Sequence, residues 1–216
     1  MTLMSQAICP VCEGEPALPF MTVHGRSYWR CDRCEARFLD RGQLPSIEEE
    51  RAHYRHHQND PDDLRYRAFL SKLARPLLEK LQPGCLGLDY GCGPGPALAR
   101  MLEEAGHRMA LFDPAFFPDR SALDAAYDVI VCTETAEHFH RPGDEFNKLG
   151  RMLRPGGWLG VMTCFQTDDA FFASWHYRRD PTHVVFYREA TMRHIAARRG
   201  WTCEIPSKDV ALMRKP

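Results

Sequence analysis

Residues 85–106 read CLGLDYGCGPGPALARMLEEAG, and how this stretch is read decides the fold. Its first part is a strand-like apolar segment that runs up to Asp89. Gly91, Gly93 and Gly95 follow at alternate positions, and PALARMLEEAG is then an amphipathic run that Gly106 is expected to close as its C-terminal cap. This is a β–loop–α unit. Glycines at the turn let a ligand approach the backbone, and the loop amides with the helix N-terminus favour an acceptor group on that ligand. A dinucleotide site would space its glycines G-x-G-x-x-G and seat a pyrophosphate on the helix. Here Asp89 stands two residues before the first glycine, and Pro94 and Pro96 stiffen the loop. A carboxylate pointing into the site repels pyrophosphate and suits a cation. About 20 residues on, RMALFD (108–113) ends in Asp113, where an acidic side chain commonly holds a ribose hydroxyl pair. A nucleoside with a positive charge and no phosphate satisfies both ends.

Upstream, Cys9 and Cys12 form one C-x-x-C and Cys31 and Cys34 another, with 18 residues between them. Each such turn brings two thiolates together, and two turns supply a tetrahedral set that Zn²⁺ accepts with no position open to water. The expected site is structural rather than catalytic; a redox pair or buried free thiols are the alternatives. HGRSYWRC reads as a hairpin strand with a turn near Gly25, and ARFLD continues it. Residues 1–45 hold few large apolar groups, so metal binding, on the order of 10 kcal/mol in isolated fingers, is needed to hold this zinc-ribbon-like module together. Arg26, Arg30, Arg33, Arg37 and Arg41 are balanced one for one by Glu13, Glu15, Asp32, Glu35 and Asp40. A neutral ribbon is a weak phosphate binder, and a cap on the main domain is an equal reading.

Residues 46–82 are charged at first and then apolar at helical spacing, with Tyr66, Phe69, Leu70, Leu73, Leu77 and Leu81 on one face. Asp60 before Pro61 offers an N-cap with proline at the first helical position, and Pro76 is expected to kink or split the helix. His53, His56 and His57 share a polar segment and read as a solvated helix face.

With LFDP (111–114), YDVIVCTETAEHF (127–139) and LRPGGWLGVMT (153–163), the glycine loop LDYGCGPG (88–95) makes residues 62–216 resemble the class I S-adenosylmethionine-dependent methyltransferases. The shape is similar to the compact bacterial type that carries Glu-His after the fourth strand and, often, a cysteine-rich N-terminus. The resemblance implies an α/β, Rossmann-like sheet of about seven strands, with WTCEI and DVALMRK as the last antiparallel pair. It also implies S-adenosylmethionine as cofactor, held by Asp89, Gly91, Cys92, Gly93, Gly95, Asp113, Pro114, Thr133 and Glu134. Only 14 residues separate Asp113 from Asp128, where the family usually fits a helix, a third strand and an adenine-contacting loop. That edge of the sheet is expected to be truncated, with Phe116 or Phe117 either walling the adenine or packing in the core.

Methyl transfer from a sulfonium is an in-line displacement, and alignment of the acceptor can supply roughly 7–11 kcal/mol of the barrier. A general base is required only where the acceptor must lose a proton. Residues after the fourth strand face the transfer site in this fold, which makes Thr133, Glu134, Glu137 and His138 the nearest groups, with His138 the first choice for a base. The alternative is that Glu137 and His138 brace the following turn. FFASWHYRRDPTHVVFY (171–187) lies where the family covers its acceptor. Trp175, His176, Tyr177 and Asp180 are read as pocket-lining and His183 as a second base, against simple burial of the loop by Trp175 and Phe186. Between Arg178 and Arg199, six arginines face only Asp180 and Glu189, an excess that attracts an anionic acceptor or forms a solvated helix face.

The whole chain has 216 residues, a formal net charge of -1 and nine cysteines. That length suits one well-buried domain plus a small appendage, divided here at 1–45, 46–82 and 83–216. The near-neutral charge gives no overall pull towards nucleic acid or anionic membranes. No run approaches the roughly 20 apolar residues that span a bilayer, the start lacks signal-peptide features, and Cys132 and Cys164 sit in apolar strands. A reduced, cytoplasmic protein is expected. A neutral chain with an aromatic acceptor loop favours methyl transfer to a small molecule over nucleic acid, with no membrane partner. The alternatives are an RNA or protein methyltransferase that reads its substrate through the zinc ribbon, and a cofactor-binding or interaction protein without turnover.

Overall fold

Both C-x-x-C turns close in the same way. The amide after the second cysteine donates to the carbonyl of the first, Glu13 to Cys9 and Glu35 to Cys31, each at 2.9 Å. In the computed structural model, which describes residues 7–54 and 59–216, those two glutamates take left-handed φ of 52° and 59°. Between the turns, β1 (Leu18–Val23) and β2 (Arg26–Arg30) form an antiparallel hairpin. Its turn is His24–Gly25, both at positive φ, the two-residue form whose twist matches that of the strands. β3 (Arg37–Leu39) adds to β2.

α1 (Ile47–Tyr54) starts from a capping box in which Ser46 and Glu49 exchange hydrogen bonds. α2 (Leu64–Leu78) is capped by Asp63, which accepts the Arg65 amide at 2.8 Å, and not by Asp60. Asp60 instead closes the turn before it, taking the Asp62 amide at 2.9 Å, so Pro61 lies in that turn and not in the helix. α2 also passes through Pro76 without splitting; only two residues follow, so little helix remains to be broken. Its buried Leu70, Leu73 and Leu77 lie on the sheet, each worth about 1.5–3 kcal/mol relative to exposure.

The sheet is built by β4 (Leu86–Tyr90), α3 (Ala97–Glu104), β5 (Arg108–Phe112), β6 (Tyr127–Thr133), α4 (Pro142–Met152) and β7 (Leu153–Met162). After β7 come β8 (Val185–Phe186), α5 (Glu189–Ala197), β9 (Thr202–Ser207) and β10 (Val210–Arg214). Gly106 ends α3 at φ 91°, its amide on the Glu103 carbonyl. Strand order is β5-β4-β6-β7-β10-β9, with the first four parallel and β10 antiparallel to both neighbours. Among the described residues the sheet therefore has six strands where about seven were expected. A parallel crossover uses a dozen or more residues before its strand begins, so the short segment after Asp113 carries one 3₁₀ turn (Arg120–Leu123) and the sheet stops at β5.

β8 does not join this sheet. It pairs with β3, Phe38 opposite Val185 and Arg37 opposite Phe186, giving a second sheet of order β1-β2-β3-β8. Tyr28 of the ribbon meets Phe172 and Phe186 edge to face, at centroid distances of 5.0 and 6.0 Å, and a single buried cluster extends from the cysteines to α4, α5 and the sheet. Among the described residues, no helix is long and apolar enough to cross a membrane.

Candidate active site

A cavity of about 830 Å³ opens where β4, β5 and β6 end. At Gly91, φ is 77° and a Cβ would stand 2.3–2.9 Å from the side chain of Thr135, whose hydroxyl donates to the Gly91 carbonyl at 3.0 Å. Gly91, Cys92 and Gly93 line the cavity. Gly95 does not: a Cβ there would meet the Asn59 carbonyl at 1.7 Å, so its bareness makes room for the chain linking α1 to α2. Asp113 is held at the end of β5 by three amides, Gly93 at 3.1 Å on Oδ2 and Ala115 and Phe116 at 2.8 and 3.0 Å on Oδ1. Pro114 and Phe116 line the cavity beside it, whereas Phe117 forms a bridge with Asp113. On the open side left by the short edge, Tyr90, Phe112 and Leu123 continue the wall.

Asp89 lies in the wall, yet it is only 3% exposed. Burial pushes its carboxyl up to about 7, while the Ala99 amide, to which it is hydrogen-bonded, works in the opposite direction. It thereby caps α3, whose N-cap Pro96 supplies no side-chain bond.

At the other end, Thr133 closes β6 and Glu134 follows at a left-handed φ of 49°. Both line the cavity. Burial and then the charge of Glu137 raise Glu134 to about 9, so it carries a proton at neutral pH. Glu137 is fully buried and accepts the Tyr177 hydroxyl at 2.5 Å. His138 Nδ1 meets the Thr182 carbonyl at 3.0 Å and His183 Nδ1 the Tyr177 carbonyl at 2.7 Å. A carbonyl only accepts, so each Nδ1 carries a hydrogen, and in the neutral imidazole the lone pair is on Nε2. Both Nε2 atoms lie 3.9 Å from Glu137 Oε1. Burial holds His183 below the usual imidazole range. Asp180 also lines the cavity; burial opposes its ionisation, but the Thr182 hydroxyl and His183 bring it down to about 2.

Trp175, His176 and Tyr177 stand outside the cavity wall. The 3₁₀ turn Tyr177–Arg179 draws Tyr177 behind the histidines, Trp175 packs on Phe172, Tyr177 and Phe186, and His176 is exposed. The other wall is one that sequence reasoning missed. α1 crosses the mouth with Ile47, Glu50, Arg51 and Tyr54, the Glu50 carboxylate 2.8 Å from His140 Nε2 and His53 Nε2 3.0 Å from Asp180. His53 is thus a docking residue and not part of a solvated face, while His56 and His57 lie outside the described residues. The Ser-x-x-Glu cap at residues 46–49 was the available signal that a real helix begins there.

A family model described as a methyltransferase domain matches residues 51–204. The chain belongs to that family. Similar solved structures include 1,6-didemethyltoxoflavin-N1-methyltransferase of Burkholderia thailandensis, with bound 1,6-didemethyltoxoflavin and S-adenosylhomocysteine. It is 17% identical over 91% of this chain and 98% of that one, at a TM-score of 0.55. Human N-acetylserotonin methyltransferase, in complex with SAM, is 16% identical over 80% of this chain and 60% of that one, at 0.54. At these identities the likeness is one of fold. A sequence search of curated proteins finds no match. By family and fold this methyltransferase is an S-adenosylmethionine-dependent enzyme.

Elsewhere in the methyltransferase, the six arginines of 178–199 are committed to internal acceptors. Arg178 donates to the Phe172 and Ala173 carbonyls, Arg179 to Ser174, Arg193 to Cys203, and Arg199 to Ile195, Gly143 and Asn147. Arg188 binds Gln166, Asp169 and Glu35, and Arg198 binds the Val11 and Cys12 carbonyls. Arg178, Arg188 and Arg198 thus reach the ribbon, Arg178 through the Tyr28 hydroxyl, while Arg193 and Arg199 tie α5 to its neighbours. In the ribbon, Cys9 Sγ to Cys34 Sγ and Cys12 Sγ to Cys31 Sγ are each 3.7 Å, and all four thiols are buried within 4.8 Å of one another. The edge of a tetrahedron with 2.3 Å metal–sulfur bonds is about 3.8 Å, so the cluster could form a zinc site.

Proposed function

We propose that the enzyme moves the methyl group of S-adenosylmethionine to a small-molecule acceptor seated beside His138 and His183. The observation that carries this reading is continuity: one cavity runs from the glycine loop and Asp113 to both imidazoles and Asp180. Its volume, about 830 Å³, is enough for a nucleoside cofactor and a small acceptor together. Asp113 is the group for the ribose hydroxyls, Gly91 and Gly93 admit the cofactor backbone-close, Asp89 answers the sulfonium charge, and Thr133 and Glu134 border the methyl end. Pro114 and Phe116 flank the base. Glu137 and Asp180 stand nearest the acceptor, and Trp175, His176 and Tyr177 act by supporting that loop.

In the transfer, an acceptor lone pair attacks the methyl carbon, the carbon–sulfur bond breaks with its electrons on sulfur, and S-adenosylhomocysteine leaves. An acceptor proton passes to a free Nε2, on His138 or His183. The cavity walls align the partners for the in-line displacement. A protein of similar fold, solved with a bound small molecule and S-adenosylhomocysteine, supports the substrate class, as does the near-neutral net charge of this chain. The four cysteines hold a structural Zn²⁺ in this reading, and their buried, reduced state fits a cytoplasmic protein.

Label transfer from methyl-tritiated S-adenosylmethionine tests the proposal, with purified enzyme in extracts either complete or depleted of small molecules. Label appearing only when the small-molecule fraction is restored is expected. Label entering RNA or protein in the depleted extract overturns the small-molecule reading and makes the ribbon a substrate reader.

A further inference from the structure

Two imidazole nitrogens and a buried carboxylate converge just past the end of β6. With both Nδ1 hydrogens given to carbonyls, the Nε2 atoms of His138 and His183 turn towards Glu137 Oε1 at 3.9 Å, too far for a hydrogen bond, while that oxygen accepts the Tyr177 hydroxyl at 2.5 Å. The ligand atoms of the three residues lie within 4.8 Å of one another. Glu137 is fully buried, and its Oε2 has no hydrogen-bond partner among the described residues. A lone pair on a buried imidazole, a ring fixed by its other nitrogen on a carbonyl, and a buried carboxylate are what a metal ion requires of its ligands and their supports.

We propose that Glu137, His138 and His183 bind a divalent first-row transition ion whose open positions hold a hydroxyl-bearing acceptor against the methyl group. This rests on the methyl-transfer reading above and replaces the bare imidazole as the agent acting on the acceptor. Bonds of about 2.1 Å place neighbouring ligands roughly 3.4 Å apart in a tetrahedral set, so the two 3.9 Å gaps between imidazole and carboxylate close by about half an ångström through side-chain rotation. Two imidazoles with one carboxylate select a transition ion over Mg²⁺ or Ca²⁺, which prefer oxygen ligands. On the ion the acceptor O–H releases its proton to water. The oxygen pair forms the O–CH₃ bond as the S–CH₃ pair returns to sulfur.

Mn²⁺ is the probe, because thiolates of the ribbon hold it poorly. Loss of the free-Mn²⁺ resonance is followed as purified enzyme is added, with S-adenosylhomocysteine binding measured by calorimetry in the same samples. One Mn²⁺ per chain is expected, undisplaced by a large excess of Mg²⁺. His138→Ala and His183→Gln should each weaken uptake by about tenfold or more while cofactor binding persists. Cofactor binding without Mn²⁺ uptake by the unaltered enzyme overturns the metal site, whatever the variants do. Uptake unchanged in the double variant overturns it as well. Failure to bind S-adenosylhomocysteine would instead count against the methyl-transfer reading, so the two are told apart.

Discussion

Asp89 caps α3 and borders the cofactor cavity at once, and burial leaves its carboxyl titrating at about 7. A bound sulfonium favours the ionised form. Below pH 7 binding must therefore expel a proton, so S-adenosylmethionine affinity should rise with pH up to about 7 and then level off. S-adenosylhomocysteine lacks that charge and should show a flat profile; calorimetry at pH 6 and pH 8 with both ligands checks this, and equal profiles would discard the Asp89 role. Gly91→Ala should lose cofactor binding and about 2 kcal/mol or more of stability, because both its φ and Thr135 exclude a methyl there. Thermal melts with and without S-adenosylhomocysteine read both effects. The turn at Gly91, the strand end at Asp113 and the two C-x-x-C turns were legible as local geometry, because a backbone without side chains, a strand end or a C-x-x-C turn leaves residue types at fixed spacing. Asp89 was not, since a carboxylate before a glycine loop reads the same whether it meets a ligand or a helix amide. Trp175, His176 and Tyr177 failed for a related reason: a loop has no period, so composition cannot say which side faces inward.

α1 and β8 show what an element's own sequence does not carry. α1 has no buried residue, and its apolar Ile47, Ala52 and Tyr54 form no continuous stripe among the charged side chains, so nothing in its pattern announces that it docks. Its partners His140 and Asp180 lie far along the chain. The pair Glu50→Ala and His53→Ala should loosen this strap and raise acceptor KM several-fold, on the order of 1 kcal/mol, with cofactor affinity unchanged; steady-state kinetics at saturating cofactor would show it. β8 has two residues inside a Val-Val-Phe-Tyr run whose strand tendency does not name its partner; it carries the segment after His183 and is held by β3, not by the main sheet. The Leu39 amide donates to the Val184 carbonyl at 2.8 Å and the Val184 amide to the Glu137 carbonyl at 2.9 Å. Cys9→Ser with Cys34→Ser, which breaks the cysteine cluster and leaves the His138–His183 site untouched, should thus lower Tm and turnover together. Calorimetric scans beside label transfer follow the two, and full activity in the double variant would separate the ribbon from the site. The α/β core was far more legible: Leu88, Val129, Ile130 and Val131 sit in short apolar strands bounded by turn signals. The strand count was not, because six or seven depends on how 14 residues fold at one edge.

At the scale of the whole molecule, the ribbon and the α/β body share one buried cluster, joined by the Tyr28, Phe172 and Phe186 rings and by arginines that cross between them. One cooperative unfolding transition is expected by calorimetry, and a chain beginning at residue 46 should be insoluble or collapsed because Phe172 and Phe186 would face water. Two resolved transitions would show that the modules are independent. The β3–β8 pairing also dictates an order of assembly. Phe38 leaves the ribosome long before Val185, and at roughly 5–20 residues per second the interval is on the order of ten seconds or more. Throughout that time the ribbon presents an open strand edge and a bare aromatic face, with only its own hairpin and its cysteine cluster to keep it in shape. The ribbon is made before the body yet finished only with it, and the newborn chain is most prone to aggregate while it waits.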